Sequence, residues 1–171
     1  MSLLDIRTPY VEITAFYALN LPEYSMHPHR HPRCEIMYVT KGSCLIYVNE
    51  QEFCLKEQQF VFLKADVLHR LSIPKGRPCS ILNLEFSCLN SKTDISLSGL
   101  LAESPSFAGF ADCPGEYFTG DDTDHLGYSL KDLINQLRNG VPCKHDVRSL
   151  SEIYTPDQKC LIRLLFLRMM L

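Results

Sequence analysis

Between Tyr10 and Leu19 apolar and polar positions alternate, with Val11, Ile13, Ala15, Tyr17 and Leu19 on one side and Glu12 and Thr14 on the other. A period of two marks a strand with one buried face. A polar stretch with prolines, Pro22 to Arg33, separates it from Glu35-Ile36-Met37-Tyr38-Val39, a β-rich run that stops at Lys41-Gly42. Ser43 to Val48, Gln51 to Leu55, Gln59 to Leu63, Leu68 to Ile73 and Ser80 to Phe86 read as further strands, with hairpin corners at Gly42 and Asn49-Glu50. In the last of these, Asn83 and Glu85 alternate with Leu82, Leu84 and Phe86; the polar side is assigned to a solvated outer surface in preference to a pocket wall. Short strands with a turn about every ten residues predict an all-β sandwich or barrel.

The pattern changes after Ser87. Ser91 to Asp124 is rich in Ser, Asp, Gly and Pro, with one short helix expected over Ile95 to Ala102. Leu126, Leu130, Leu133, Ile134 and Leu137 then share one helical face, ending at Asn139-Gly140. Thr155-Pro156-Asp157-Gln158 is a helix start with a capping box and proline at the first helical position. The helix that follows is almost wholly apolar, with a wider face than one barrel flank would cover, so a partner helix is expected. The sequence stops at Met169-Met170-Leu171 without a glycine or polar tail, which predicts a piece of a longer protein. Leu3, in the Ser2-Leu3 pair after Met1, is given no part in the fold.

Composition narrows this picture only at a few points. The 171 residues, 46% apolar and 22% charged, fit one domain and exclude disorder as the dominant state. A net charge of −3 gives no whole-chain basic footprint for nucleic acid. No apolar run approaches the ~20 residues of a membrane span. The eight cysteines lack any C-x-x-C pair, and Met1–Leu4 is followed at once by Asp5 and Arg7 rather than by an apolar signal segment. Reduced, buried cysteines in a cytoplasmic protein are therefore expected.

The candidate chemistry lies in His27-Pro28-His29-Arg30-His31-Pro32-Arg33-Cys34-Glu35. In an extended chain His29, His31 and Glu35 share a parity and point one way, and His69 opens a later strand. Three imidazoles and a carboxylate suit Zn, Fe, Mn, Ni or Cu; the alternatives are an exposed polar loop, or a hydrogen-bonding pocket without metal. Tyr38 and Tyr47 either stack on a sugar or aromatic ring or face outward. His27, His125 and His145 are read as surface residues.

His29-x-His31-x3-Glu35-x6-Gly42 resembles the first signature of the cupin superfamily, and His69 falls where the histidine of the second signature would be. Departures are Gln58 in place of a turn glycine, Lys64 and Asp66 in place of proline and glycine, Glu23 at the leading glycine, and Ile73 where asparagine is common. The stretch from His29 to Phe86 more closely resembles the N-terminal sensing domain of AraC-type transcription regulators, through His-x-His-x3-Glu-Ile-x-Tyr-Val-x-x-Gly, Tyr47-Val48-Asn49, Phe62-Leu63 to His69, and Leu82-x-Leu84-x-Phe86. The resemblance implies a mainly β, cupin-like jelly-roll barrel over 5–90 and a loop and helical dimerisation segment over 91–171. It also implies a small-molecule effector (a sugar or similar) bound through His29, His31, Glu35, Tyr38, Tyr47 and His69. His29, His31, Glu35 and His69 would hold one divalent transition metal (Zn, Ni, Mn or Fe) if one is bound. The partners it implies are a second copy of the chain and DNA, the latter through a C-terminal module outside this sequence, with no membrane and no catalysis. The competing expectation is a stand-alone cupin metalloenzyme of isomerase or dioxygenase type.

Overall fold

Apolar residues on both sides of the central strands require cover on both sides, and the fold supplies it. The computed structural model describes residues 3–4, 9–140 and 154–171. Its strands are β1 (Tyr10–Leu21), β2 (Tyr24–Ser25), β3 (Cys34–Lys41), β4 (Ser43–Val48), β5 (Gln51–Lys56), β6 (Gln59–Leu63), β7 (His69–Ile73), β8 (Cys79–Leu89), β9 (Ile95–Ser96) and β10 (Tyr117–Asp121). Its helices are α1 (Ser98–Glu103), α2 (Pro105–Asp112), α3 (Leu126–Gly140) and α4 (Pro156–Met169). One antiparallel sheet runs β10-β6-β3-β8-β1-β9 and the other β2-β7-β4-β5. Facing each other, they form a mainly β, cupin-like jelly roll with C-terminal helices.

Strand parity sorts the side chains into two cores. Met37, Val39, Val61, Leu63 and Ile81 of the large sheet meet Ile46, Val48, Leu55, Leu71 and Ile73 of the small one inside the barrel. Their chain neighbours Ile36, Tyr38, Phe62, Leu82, Leu84 and Phe86 point out of the barrel and are covered by Leu130, Leu133, Ile134 and Leu137 of α3 and Ile162 and Phe166 of α4. The expected periodicity of α3 is thus realised, and so is the capping box of α4: Thr155 Oγ1 accepts from Gln158 N while Gln158 Oε1 accepts from Thr155 N. Tyr154 ties the two helices together by donating to Leu137 O at 2.6 Å.

Several expectations need correction. The register of β1 against β8 shifts between Ile13 and Ala15. The extra residue, Thr14, flips the parity: Val11 and Ile13 share the helix-covered side with Phe16 and Ala18, whereas Tyr17, opposite Asn83, turns inward. The Ser91–Asp124 stretch holds more structure than one short helix. Ile95–Ser96 is a strand, α1 begins only at Ser98, α2 starts from a Ser104 cap with Pro105 in the first turn, and β10 pairs with β6. Leu3, given no role, and its neighbour Leu4 are buried in the outer core and bonded through their N–H groups to Cys113 O and Ala111 O. The seven described cysteines are free, but Cys54 and Cys160 are exposed rather than buried; Cys143 and His145 lie outside the described residues. No helix among the described residues is long and apolar enough to cross a membrane.

The Gly42 corner of the motif has a physical explanation. Gly42 has φ +82°, and a Cβ there would lie 2.4 Å from Pro78 O. Gln58 and Asp66, standing where the resemblance expects glycines, are nonetheless held at φ +62° and +64°. The side chain of Gln58 is exposed and only its backbone is engaged, N donating to Val39 O and O accepting from Asp122 N. Gln58→Gly is therefore expected to raise stability by about 0.5–1 kcal/mol, the left-handed penalty less the extra chain entropy of glycine. A urea midpoint equal to or below that of the parent would contradict this.

Candidate functional site

The β2–β3 connection and the start of β7 are stitched together at the mouth of the barrel. His29 and His69 exchange both backbone hydrogen bonds (2.9 and 3.0 Å), and Asp66 N donates to His31 O at 2.8 Å. This brings the imidazoles of His29, His31 and His69 together, with ring centroids 4.4–5.5 Å apart. Glu35 projects from β3 into the same space because it shares the inward parity of Met37 and Val39, and it is 3% exposed. All four residues expected to ligate a metal thus converge.

The second partner of each ring fixes its orientation. His29 Nδ1 contacts His27 O at 3.2 Å, His31 Nδ1 contacts Arg33 O at 3.2 Å, and His69 Nδ1 contacts Val67 O at 2.9 Å. A carbonyl only accepts, so Nδ1 carries the proton in each ring and Nε2 is left to face the site. Nε2 of His31 and of His69 lie 3.2 and 3.1 Å from one oxygen, Glu35 Oε2. Two imidazole lone pairs facing a carboxylate oxygen repel it unless protons or a cation sit between them. Such separations also match neighbouring ligands around one ion with bonds of about 2.0–2.2 Å. The donor set therefore fits a divalent transition metal.

Protons are the alternative occupant, and the electrostatics reflect it. Burial alone would push the Glu35 carboxyl up, but hydrogen bonds from and proximity to His31 and His69 hold it down at about 2. Burial opposes protonation of His69, but the bond to Glu35 and its charge outweigh this and raise the imidazole above its ordinary value. In the metal-free protein the Glu35 contribution to stability is present above about pH 4.5 and lost as pH falls toward about 2. The His69 contribution is present below about pH 6.5 and lost as pH rises through its elevated folded value. Urea midpoints of EDTA-treated protein are thus expected to peak between these limits and fall on both sides; a midpoint that climbs steadily from pH 6 to 9 would contradict the His69–Glu35 pairing.

Sequence reasoning missed the other wall. Asn83 and Glu85, assigned to a solvated surface, face into the barrel: Glu85 stands directly opposite Glu35, and Asn83 opposite Met37. Asn83 Nδ2 donates to Glu35 Oε1 at 2.8 Å. Arg33 Nε lies 2.6 Å from Glu85 Oε2, yet off the hydrogen-bonding axis, so the two are ion-paired while neither atom completes a hydrogen bond. Asn83 Oδ1 is also buried without a partner. Two carboxylates opposed across strands are unfavourable in a purely structural role, which marks a site rather than a core. Burial and the Glu85 charge push the Tyr17 phenol up, so this tyrosine stands within the same field.

Tyr38 and Tyr47 do not reach the histidines. Tyr38 has the opposite parity to Glu35; it lies in the outer core, and its hydroxyl donates to Asp122 Oδ2 at 3.0 Å. Tyr47 lies opposite Arg70 on the outside of the small sheet, with the Arg70 guanidinium 3.8 Å above its ring. His27 and His125 are exposed, as expected.

A family model described as the AraC-like ligand binding domain matches residues 14–139. The chain belongs to this family. The matched residues of the AraC-like domain run from the bulge of β1 to the last turn of α3 and so include the whole constellation. Solved structures to which the domain is similar include a cupin protein from Bacteroides fragilis, 16% identical, covering 46% of this chain and 69% of that one at a TM-score of 0.41. Another is the protein YhaK from Escherichia coli, 9% identical, covering 67% and 44% at 0.47. A third is a predicted oxalate decarboxylase from Thermotoga maritima, 20% identical, covering 43% and 65% at 0.40. No curated protein matches the chain.

Proposed function

We propose that the AraC-like domain is the effector-sensing and dimerisation part of a transcription regulator and that it works by binding, without catalysis. The observation that carries the ligand site is the set of buried polar atoms without hydrogen bonds, Asn83 Oδ1, Glu85 Oε2 and Arg33 Nε, beside the three histidines. Buried polar atoms that lack a hydrogen bond are costly even where, as for Arg33 and Glu85, they are ion-paired, and a small polyhydroxylated effector, a sugar or similar, would satisfy acceptor and donor alike. His29, His31, His69 and Glu35 would hold one divalent transition metal (Zn, Ni, Mn or Fe). Bound there, it would supply a Lewis-acid anchor for an effector oxygen. The cytoplasm, where thiols stay reduced, suits the free cysteines of this domain.

Dimerisation rests on α4. Ile162, Phe166 and Met169 are buried, while Leu161 and Leu164, on its other side, are 40% and 56% exposed. A second copy of the same helix is the occupant that fits this stripe. Sedimentation should find a dimer that Leu161→Glu with Leu164→Glu converts to monomer; a monomeric parent at high concentration would overturn the dimer. DNA would be contacted by a further module and not by this domain, whose net charge is −3. The reading frame beyond Leu171 tests this directly: a helix-turn-helix pattern supports the regulator, and a stop codon there sinks it. The histidine–glutamate donor set favours a second reading, a cupin metalloenzyme. Turnover that depends on a stoichiometric metal and disappears in His69→Ala would establish that reading in place of the first.

A further inference from the structure

A cavity of about 320 Å³ lies on the opposite side of the large sheet from the histidines. Its floor includes Ile36 and Phe62, whose chain neighbours Glu35 and Leu63 face the barrel, so one sheet thickness separates the two sites. Phe60, Phe110 and Phe118 contribute to its wall, with Phe60 and Phe118 6.0 Å apart between centroids and Phe110 and Phe118 5.5 Å. Phe118 is 39% exposed, an unusual state for a residue with so many aromatic neighbours. The volume is in the range of small-ligand pockets.

The rim carries charge of one dominant sign. Asp121, Asp122 and Asp124 line the cavity, against one arginine, Arg168, among the described lining residues. Asp122 is committed to the fold: its oxygens accept from Leu126 N, Gly127 N and the Tyr38 hydroxyl. Asp121 Oδ1 accepts from Gln59 Nε2, and Asp124 Oδ2 from the Thr123 hydroxyl. Asp121 Oδ2 and Asp124 Oδ1 therefore remain without a hydrogen-bond partner among the described residues. Aromatic faces attract cations, and carboxylates at their edge do so more strongly.

We infer that this outer cavity is a second binding site, taking a small organic cation with an apolar body, of the arylalkylammonium kind. The apolar part occupies the phenylalanine pocket and the ammonium meets Asp121 and Asp124 at the rim. The last turn of α4 and the two residues after it, Arg168 to Leu171, line the same cavity, so such a ligand would bridge β10, α2 and the end of α4. The proposal is independent of what the barrel binds.

The test is calorimetric titration of the 171-residue chain with 3-phenylpropylammonium, 3-phenylpropanol and 3-phenylpropanoate. The ammonium is expected to bind ~10-fold or more tightly than the alcohol, the equivalent of one modest cation–π or ionic contact, and the carboxylate more weakly than either. Gly120→Val should block the site, because Gly120 is part of the lining and a Cβ there would lie 2.9 Å from Phe60 Cε1 and 3.4 Å from Phe118 Cε1, so the added side chain crowds both rings. Phe118→Ala, at a half-exposed position, should weaken binding without threatening the fold. Asp124→Asn should narrow the gap between ammonium and alcohol. The idea fails if none of the three probes binds, or if the carboxylate binds best. It fails equally if the ammonium survives both Gly120→Val and Phe118→Ala, or is lost in His69→Ala while those two leave it unchanged.

Discussion

Glu35→Ala is expected to destabilise the protein by about 3–5 kcal/mol, the usual result of removing one partner from a buried charged cluster, and to abolish binding of the proposed divalent metal. Glu35 Oε2 is shared by His31 and His69, and Oε1 is bonded to Asn83. Deleting the carboxylate leaves three polar groups aimed at a void that is nearly sealed from water, with Glu85 still opposite. Glu35→Gln separates charge from shape. Its amide oxygen still accepts from Asn83, and its NH2 can donate to a neutral imidazole, so it should cost about 1 kcal/mol by comparison. Metal affinity should nevertheless fall by more than the ~10–100-fold typical of losing a group behind a ligand. Denaturation in urea and titration with Zn and Ni salts measure the two effects separately. A Glu35→Ala protein with parental stability and metal content would show that the cluster is a polar loop and nothing more.

The second large effect is expected at Phe166. Its side chain is fully buried and meets Phe86 edge to face, centroids 5.2 Å apart and planes at 88°. Truncation to alanine should cost about 3–5 kcal/mol, and the loss should fall on the outer core. Because the barrel interior is a separate set of side chains, binding of the proposed metal should persist while α4 becomes open to protease and the proposed dimer weakens. Proportional loss of metal and of α4 protection would mean that the two cores unfold as one.

How far these features were legible in the sequence follows from what a period can and cannot report. Period two located β1, β3 to β8 and the parity of His29, His31 and Glu35, since all of these depend on local geometry alone. It could not say which face of β8 looks inward. Leu82, Leu84 and Phe86 behave like a core face, and they are one, but the core they serve lies outside the barrel under α3 and α4. The two alternatives for Tyr38 stay open in the sequence for the same reason: β3 is buried on both sides. The β1 bulge leaves no compositional trace, so strict alternation puts the β1 residues after Thr14 on the wrong face. β10 escaped notice because its sequence, Tyr-Phe-Thr-Gly-Asp, becomes a strand only by pairing with β6.

β8 leaves one last consequence. Glu85 and Phe86 are consecutive, with Cα atoms about 3.8 Å apart, yet one answers to the barrel and the other to the helices. On the outer side Phe86 is packed edge to face on Phe166 of α4, with ring centroids 5.2 Å apart, so a displacement there is passed on by direct contact. An effector that shifts Glu85 therefore needs no relay of intermediate residues to be felt at α4. The message has a single peptide unit to cross, and the length of the route is the thickness of the strand itself.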